Sequence, residues 1–154
     1  MASVAALGAV HEALVDRLQT VLASWRFDSG AAGERVAVTV YDGVAVQRPD
    51  VPYLVVGGSS SEQPYHTLGP TDGAKWGGEV RIPLRLVTQY PMTEGQSYRV
   101  LTVIKAAIDG QPLTVAGFAS AAVTCDGTQL LVDTVAGTVT RELLTDVDVL
   151  VHQS

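Results

Sequence analysis

The chain reads as an α+β protein: a mostly antiparallel sheet with two helices packed on one face, in the order α-β-β-β-α-β-β(-β). Three observations predict it. Two segments carry a helical apolar stripe, one at the N-terminus and one after Thr93; several others are β-branched and alternate with a period of two; and Gly/Pro-rich turn signals separate them.

Leu7, His11, Leu14, Leu18, Val21 and Trp25 recur at 4-3-4-3-4 spacing, one stripe of a helix expected over about Ser3 to Arg26, with Ser3 as its N-cap. Asp28, Gly30 and Gly33 break that pattern, and "RVAVTVY", Arg35 to Tyr41, is the first expected strand. "VYDGVAVQRPDVPYLVVGG" then joins it to a second, "PYLVVGG", whose continuous apolar run suits a strand covered on both faces; Asp42-Gly43, Pro49 and Pro52 restrict the link. Residues 59–78 have no steady period and hold Pro64, Gly69, Pro70 and Gly73, so they read as a long loop.

"EVRIPLRLVTQ", Glu79 to Gln89, alternates most clearly, with Val80, Ile82, Leu84 and Leu86 on one face and Glu79, Arg81, Pro83 and Arg85 on the other. Pro83 lacks an N–H for the ladder, which predicts a sheet edge or a bulge there. The second helix is expected from Thr93 or Ser97 as cap to Gly110 as stop, with Val100, Leu101, Ile104, Ala107 and Ile108 on its stripe. One or two strands follow, with a hairpin turn expected near Asp126-Gly127. "TVTRELLTDVDVLVH" is the last, with Val139, Leu143, Val147, Val149 and Val151 on one side and Glu142, Asp146 and Asp148 on the other.

A length of 154 residues is that of one domain, expected to span 1–154, and can bury a core without disulfides or metals. Apolar residues make up 47% of the chain and charged ones 17%, a charge-poor balance that points to buried protein contacts. The lone Cys125 rules out an intramolecular disulfide and a cysteine-based zinc site. The N-terminus lacks a basic region before its apolar stretch, so no signal peptide is expected, and no apolar run approaches the roughly 18 residues of a membrane span. A net charge of −6 argues against a cationic groove for nucleic acid. The acidic excess is mostly C-terminal: 7 basic against 9 acidic residues up to residue 90, then 3 against 7.

Catalytic and cofactor motifs are missing, so no cofactor is expected. His11, His66 and His152 have no second ligand at metal-binding spacing. "GPTDGAKW" fails as a phosphate loop, since Ala74 separates Gly73 from Lys75 and Trp76 replaces Ser/Thr. Asp146 and Asp148 share a strand face, but paired carboxylates do acid-base work only where a cleft separates their pKa values; a solvated or partner-facing surface is the simpler reading. Arg81 and Arg85 are either cross-strand partners or charges facing a neighbouring subunit. Tyr65, His66, Lys75 and Trp76, on the expected polar loop, are candidate partner contacts, because exposed aromatics favour interfaces.

The order of these pieces resembles the tail-terminator, or tail-completion, proteins of long-tailed phages and gene transfer agents. "YDG…P…PY" (Tyr41-Asp42-Gly43 with Pro52-Tyr53), the segment ending at Trp76, the alternating "VRIPLRLVTQY", the helix ending at Gly110 and the acidic-hydrophobic terminal strand carry the resemblance over essentially the whole chain. It implies a structural virion protein with no catalytic residues. Such protomers form a ring, commonly a hexamer, on the head-proximal end of the tail tube, stop its polymerisation and offer a joint to the head connector. The implied partners are copies of the chain, the tail-tube protein and neck proteins, with DNA passing through the lumen and no membrane involved; assembly would take place in the host cytoplasm. Two other readings stay open on the residues alone: a neighbouring neck adaptor, and a small enzyme or ligand-binding α+β domain.

Overall fold

The computed structural model describes residues 2–45, 47, 49–61, 65–68 and 74–153. The elements are α1 (Ala2–Leu22), β1 (Phe27–Asp28), β2 (Arg35–Val36), β3 (Thr39–Asp42), β4 (Tyr53–Val56), β5 (Ser60–Ser61), β6 (Tyr65–Leu68), β7 (Ala74–Gln89), α2 (Glu94–Ile108), β8 (Phe118–Val135) and β9 (Thr138–Gln153). The main sheet runs β3-β4-β7-β9-β8, with β5 and β6 pairing further along β7; β1 and β2 form a separate two-stranded sheet. Every pairing is antiparallel except β3 with β4. The α+β class and its mostly antiparallel sheet are as the sequence predicts.

Alternation builds the core. On β7, Val80, Ile82, Leu84 and Leu86 are buried, and they lie opposite Val149, Val147, Thr145 and Leu143 of β9. All of these side chains except Thr145 form one cluster with Leu54 and Val56 of β4, Leu14 and Leu18 of α1, and Val100, Leu101 and Ile104 of α2. Both helices therefore cover the same sheet face. The next side chain along each strand points the other way, so Arg81, Pro83 and Arg85 on β7, and Glu142, Leu144, Asp146, Asp148 and Leu150 on β9, belong to a face with no helix on it.

α2 follows its sequence signals closely. Thr93 is the N-cap: its hydroxyl accepts from the Gln96 amide at 3.2 Å, while Gln96 Oε1 accepts from the Thr93 amide at 2.8 Å, a reciprocal capping box. Ser97, the other expected cap, lies inside the helix, where its buried hydroxyl shares a 2.7 Å hydrogen bond with Thr88 of β7. α1 differs from expectation at both ends. It begins at Ala2, which puts Ser3 inside rather than at the cap, and it stops at Leu22. Trp25 therefore leaves the helical stripe and stacks on Phe27, ring centroids 5.7 Å apart.

Four strand expectations need correction. "RVAVTVY" is split: β2 pairs with β1 and β3 joins the main sheet. Pro83 is not at an edge, because β7 runs between β4 and β9. It sits where the partner on one side changes from β4 to β5, and there its carbonyl accepts from the Gly57 amide at 2.8 Å. The N and C=O of a strand residue face the same side, so the missing N–H also falls at that break and costs no ladder bond with β9. Asp126-Gly127 is not a hairpin turn but a register shift within the single long β8, a bulge at which Gly127 takes φ +60°. The hairpin turn is Ala136-Gly137, both with positive φ, joining Val135 to Thr138.

The fourth correction concerns residues 59–78, read from sequence as a loop. β5 and β6 pair with β7, which starts at Ala74. Residues 62–64 and 69–73 of that stretch lie outside the described residues.

The link from β3 to β4 also acquires a physical account. Because those strands are parallel, the connection between them is a crossover rather than a hairpin. Gly43, at φ +81°, turns its amide to the Val56 carbonyl at 2.8 Å and so joins the ends of the two strands. Leu54, Val55 and Val56 are all buried, as the continuous apolar run predicts.

Candidate functional site

The helix-free face is organised by cross-strand ion pairs. Arg81 Nε donates to Asp148 Oδ1 at 2.8 Å, directly across the β7–β9 pair, and Arg85 Nη1 donates to Glu142 Oε1 at 3.1 Å on the diagonal. Both arginines are thus cross-strand partners within one molecule. Asp148 is 6% exposed, against the solvated reading of that residue; Asp146 is exposed and lies opposite Pro83 on one side and Asp126 on the other.

Glu79 and Asp126 join Asp148 in a carboxyl cluster that sequence spacing does not reveal. Burial pushes the Asp148 pKa up, but hydrogen bonds, that from Arg81 foremost, outweigh it and hold the carboxyl below its ordinary value. Glu79 is raised, by burial first and then by the charge of Asp148; Asp126 is raised by its hydrogen bond to Asp148 and by that residue's charge. Asp148 is therefore the member that keeps its charge longest as pH falls, and the outer two carry the repulsion. Beside the cluster a shallow depression of about 570 Å³ is lined by Gly43, Val55, Pro83, Arg85, Asp126 and Asp146 among others.

Tyr65, His66, Lys75 and Trp76 come together on the backbone of one two-stranded arm. Tyr65 pairs with Gly77, His66 with Trp76, and Thr67 with Lys75. The arm occupies the β7 end that also pairs with the end of β9, Gly77 opposite His152. The arm residues and the ion-paired face thus belong to one sheet.

A second constellation joins residues far apart in sequence. His11 of α1 donates through Nε2 to Asp42 at the end of β3, and its Nδ1 lies 2.8 Å from Ser59 Oγ. The residue types are those of a hydrolytic triad, but Asp42 is largely exposed and no cavity described here is lined by the three. What the contacts do is tie α1 to the end of β3 and to the segment after β4. Among the described residues no cluster of His, Cys, Asp or Glu is arranged to hold a metal ion, and no helix is long and apolar enough to cross a membrane.

Along the β3-β4-β7-β9-β8 path the end strands are β3 and β8. One half of the β8 edge is covered by the segment after α2: the Gly110 amide donates to the Val123 carbonyl at 2.9 Å, the Cys125 amide donates to Asp109 Oδ1 at 3.0 Å, and Pro112 bridges to Ala122. From Gln129 to Val135 that edge has no further strand among the described residues, and Leu131 and Val132 are exposed there.

No family model matches the chain, and no curated protein matches it. Among solved structures, the chain is similar in fold to a chain of a structure described as the virion of a native gene transfer agent particle. The TM-score is 0.53 at 14% sequence identity, over 93% of this chain and 96% of the other.

Proposed function

We propose that the chain is a structural virion protein that forms a ring on the head-proximal end of a phage or gene-transfer-agent tail tube, ends tube polymerisation there, and provides the joint to the head connector. The observation that carries the reading is a fold shared over nearly the full length of both chains with a component of a gene transfer agent virion. The order of sequence signals that resembles tail terminators supports it independently.

The mechanism is geometric. A terminator reproduces one face of the tube's repeating stack and presents a different opposite face, so addition stops. The surfaces available for this are the arm of β6 and the start of β7, the helix-free face, and the open Gln129–Val135 edge, which can accept a strand from a partner. A permanent contact of this kind buries on the order of 2,000 Å² or more.

Purified tube subunits polymerised with and without the chain test this. Tubes that stop growing and carry a ring at one end are expected. Tubes of unchanged length with no ring at either end would refute the reading.

A further inference from the structure

A shallow groove of about 380 Å³ lies on the helical side of the molecule, where the end of α1, β1, β2 and the outer surface of α2 meet. Trp25, 44% exposed and stacked on Phe27, forms its apolar part. Arg26, Arg35 and Arg99 line it with a single carboxylate, Asp28. Asp28 is engaged with its own loop, accepting from the Gly30 amide at 2.9 Å. Among the described residues none of the three arginines makes an ion pair; Arg26 donates only to the carbonyls of Ala23 and Trp25. In a chain with 10 basic residues and a net charge of −6, this gathers three cations around an exposed tryptophan. Trp and Arg are also the residue types that dominate interface energetics.

The complementary surface is on the opposite side. On the helix-free face, the exposed Asp126 and Asp146 face each other across β8 and β9, and the exposed Leu131 and Leu150 lie on the same strands. The sheet and both helices separate the two surfaces, so they cannot meet within one molecule. We propose that the Trp25/Arg26/Arg35/Arg99 groove receives the acidic β8–β9 face of a second copy of this chain. A contact between two different patches on opposite sides is heterologous; it cannot make a closed dimer, and it makes a ring where the rotation from copy to copy closes. The inference rests on the ring reading above and identifies which surfaces meet between neighbours.

Charge reversal tests it. The unmodified chain should assemble, with association weakening as salt rises from about 0.05 to 0.5 M. Arg35→Glu/Arg99→Glu and Asp126→Lys/Asp146→Lys should each run as a monomer in size-exclusion chromatography with light scattering. An equimolar mixture should reassemble, because each contact between unlike variants again joins opposite charges. Rescue on mixing cannot come from misfolded chains. Assembly that persists in both variants and is insensitive to salt would remove this inference and leave the ring. A reversed-groove variant that assembles normally but loses retention of double-stranded DNA would make the groove a phosphate-contacting surface instead. An unmodified chain that stays monomeric both alone and on tube ends would remove the ring and the inference together.

Discussion

Arg81 and Asp148 face each other across β7 and β9, and the 2.8 Å hydrogen bond between them holds a carboxylate that is only 6% exposed. Arg81→Ala strands that carboxylate beside Glu79 and Asp126 and should cost about 1–3 kcal/mol in urea unfolding at neutral pH. The sign of the pH dependence follows from the directions of the shifts. Asp148 is depressed in the folded state, so its contribution is present above the ordinary carboxylate range and is lost as pH falls through its folded pKa. Glu79 is raised, so its charge opposes folding at neutral pH and that penalty vanishes on acidification. Glu79→Gln should therefore raise the urea midpoint at pH 7 and leave it unchanged below about pH 4. Equal effects at both pH values would contradict the cluster.

Gly57 and Pro83 are packed too closely for a side chain at position 57. A Cβ there would lie 2.7 Å from Pro83 Cγ and 3.1 Å from the Pro83 carbonyl oxygen. Gly57→Ala should cost about 1–3 kcal/mol, and Pro83→Ala in the same chain should recover part of the loss by removing the ring but not the carbonyl. Strictly additive losses in a double-mutant cycle would show that the two residues do not share this contact.

These two cases mark what the sequence makes legible. Alternation along Glu79–Gln89, the Thr93 cap and the Gly110 stop announce themselves within a few residues, because strand period and helix capping are local physics. The placement of Pro83 is not local: a proline reads as an edge signal, and its tolerance inside the sheet depends on a break between β4 and β5 that the pairing register alone discloses. The arm was hidden for a related reason. Tyr65–Leu68 is a four-residue strand bracketed by Pro64 and Gly69, too short to display a period. Asp126-Gly127 carries a turn dipeptide but serves as a bulge, because β9 runs on past it as a partner. Of the candidate residues, Arg81, Arg85, Asp146 and Asp148 fall on one sheet face as their alternation requires. Glu79 and Asp126, and the link from His11 to Asp42 and Ser59, are tertiary and leave no spacing signal.

Cys125 offers a separate check on packing. Burial first, and then the nearby Asp109, push its thiol up to about 11. Since the thiolate is the reactive species, iodoacetamide at pH 8 should label the native protein far more slowly than the urea-unfolded chain. Equal rates would mean that this part of β8 is open to solvent.

Deleting residues 62–75 removes β6 and the first residues of β7 while sparing the core cluster. The shortened chain should keep a cooperative unfolding transition and lose the capping of tube ends. Tails of normal length in particles carrying the deletion would exclude the arm as the tube contact.

Electron microscopy of particles produced without this chain tests the central claim most directly. Tail lengths should become broadly distributed, with many tails far longer than normal and few joined to heads, and supplying the chain in trans should restore one length. Tails of uniform normal length would contradict termination: if they fail to join heads, the chain acts as a neck adaptor, and if they join normally, it has no part in the joint.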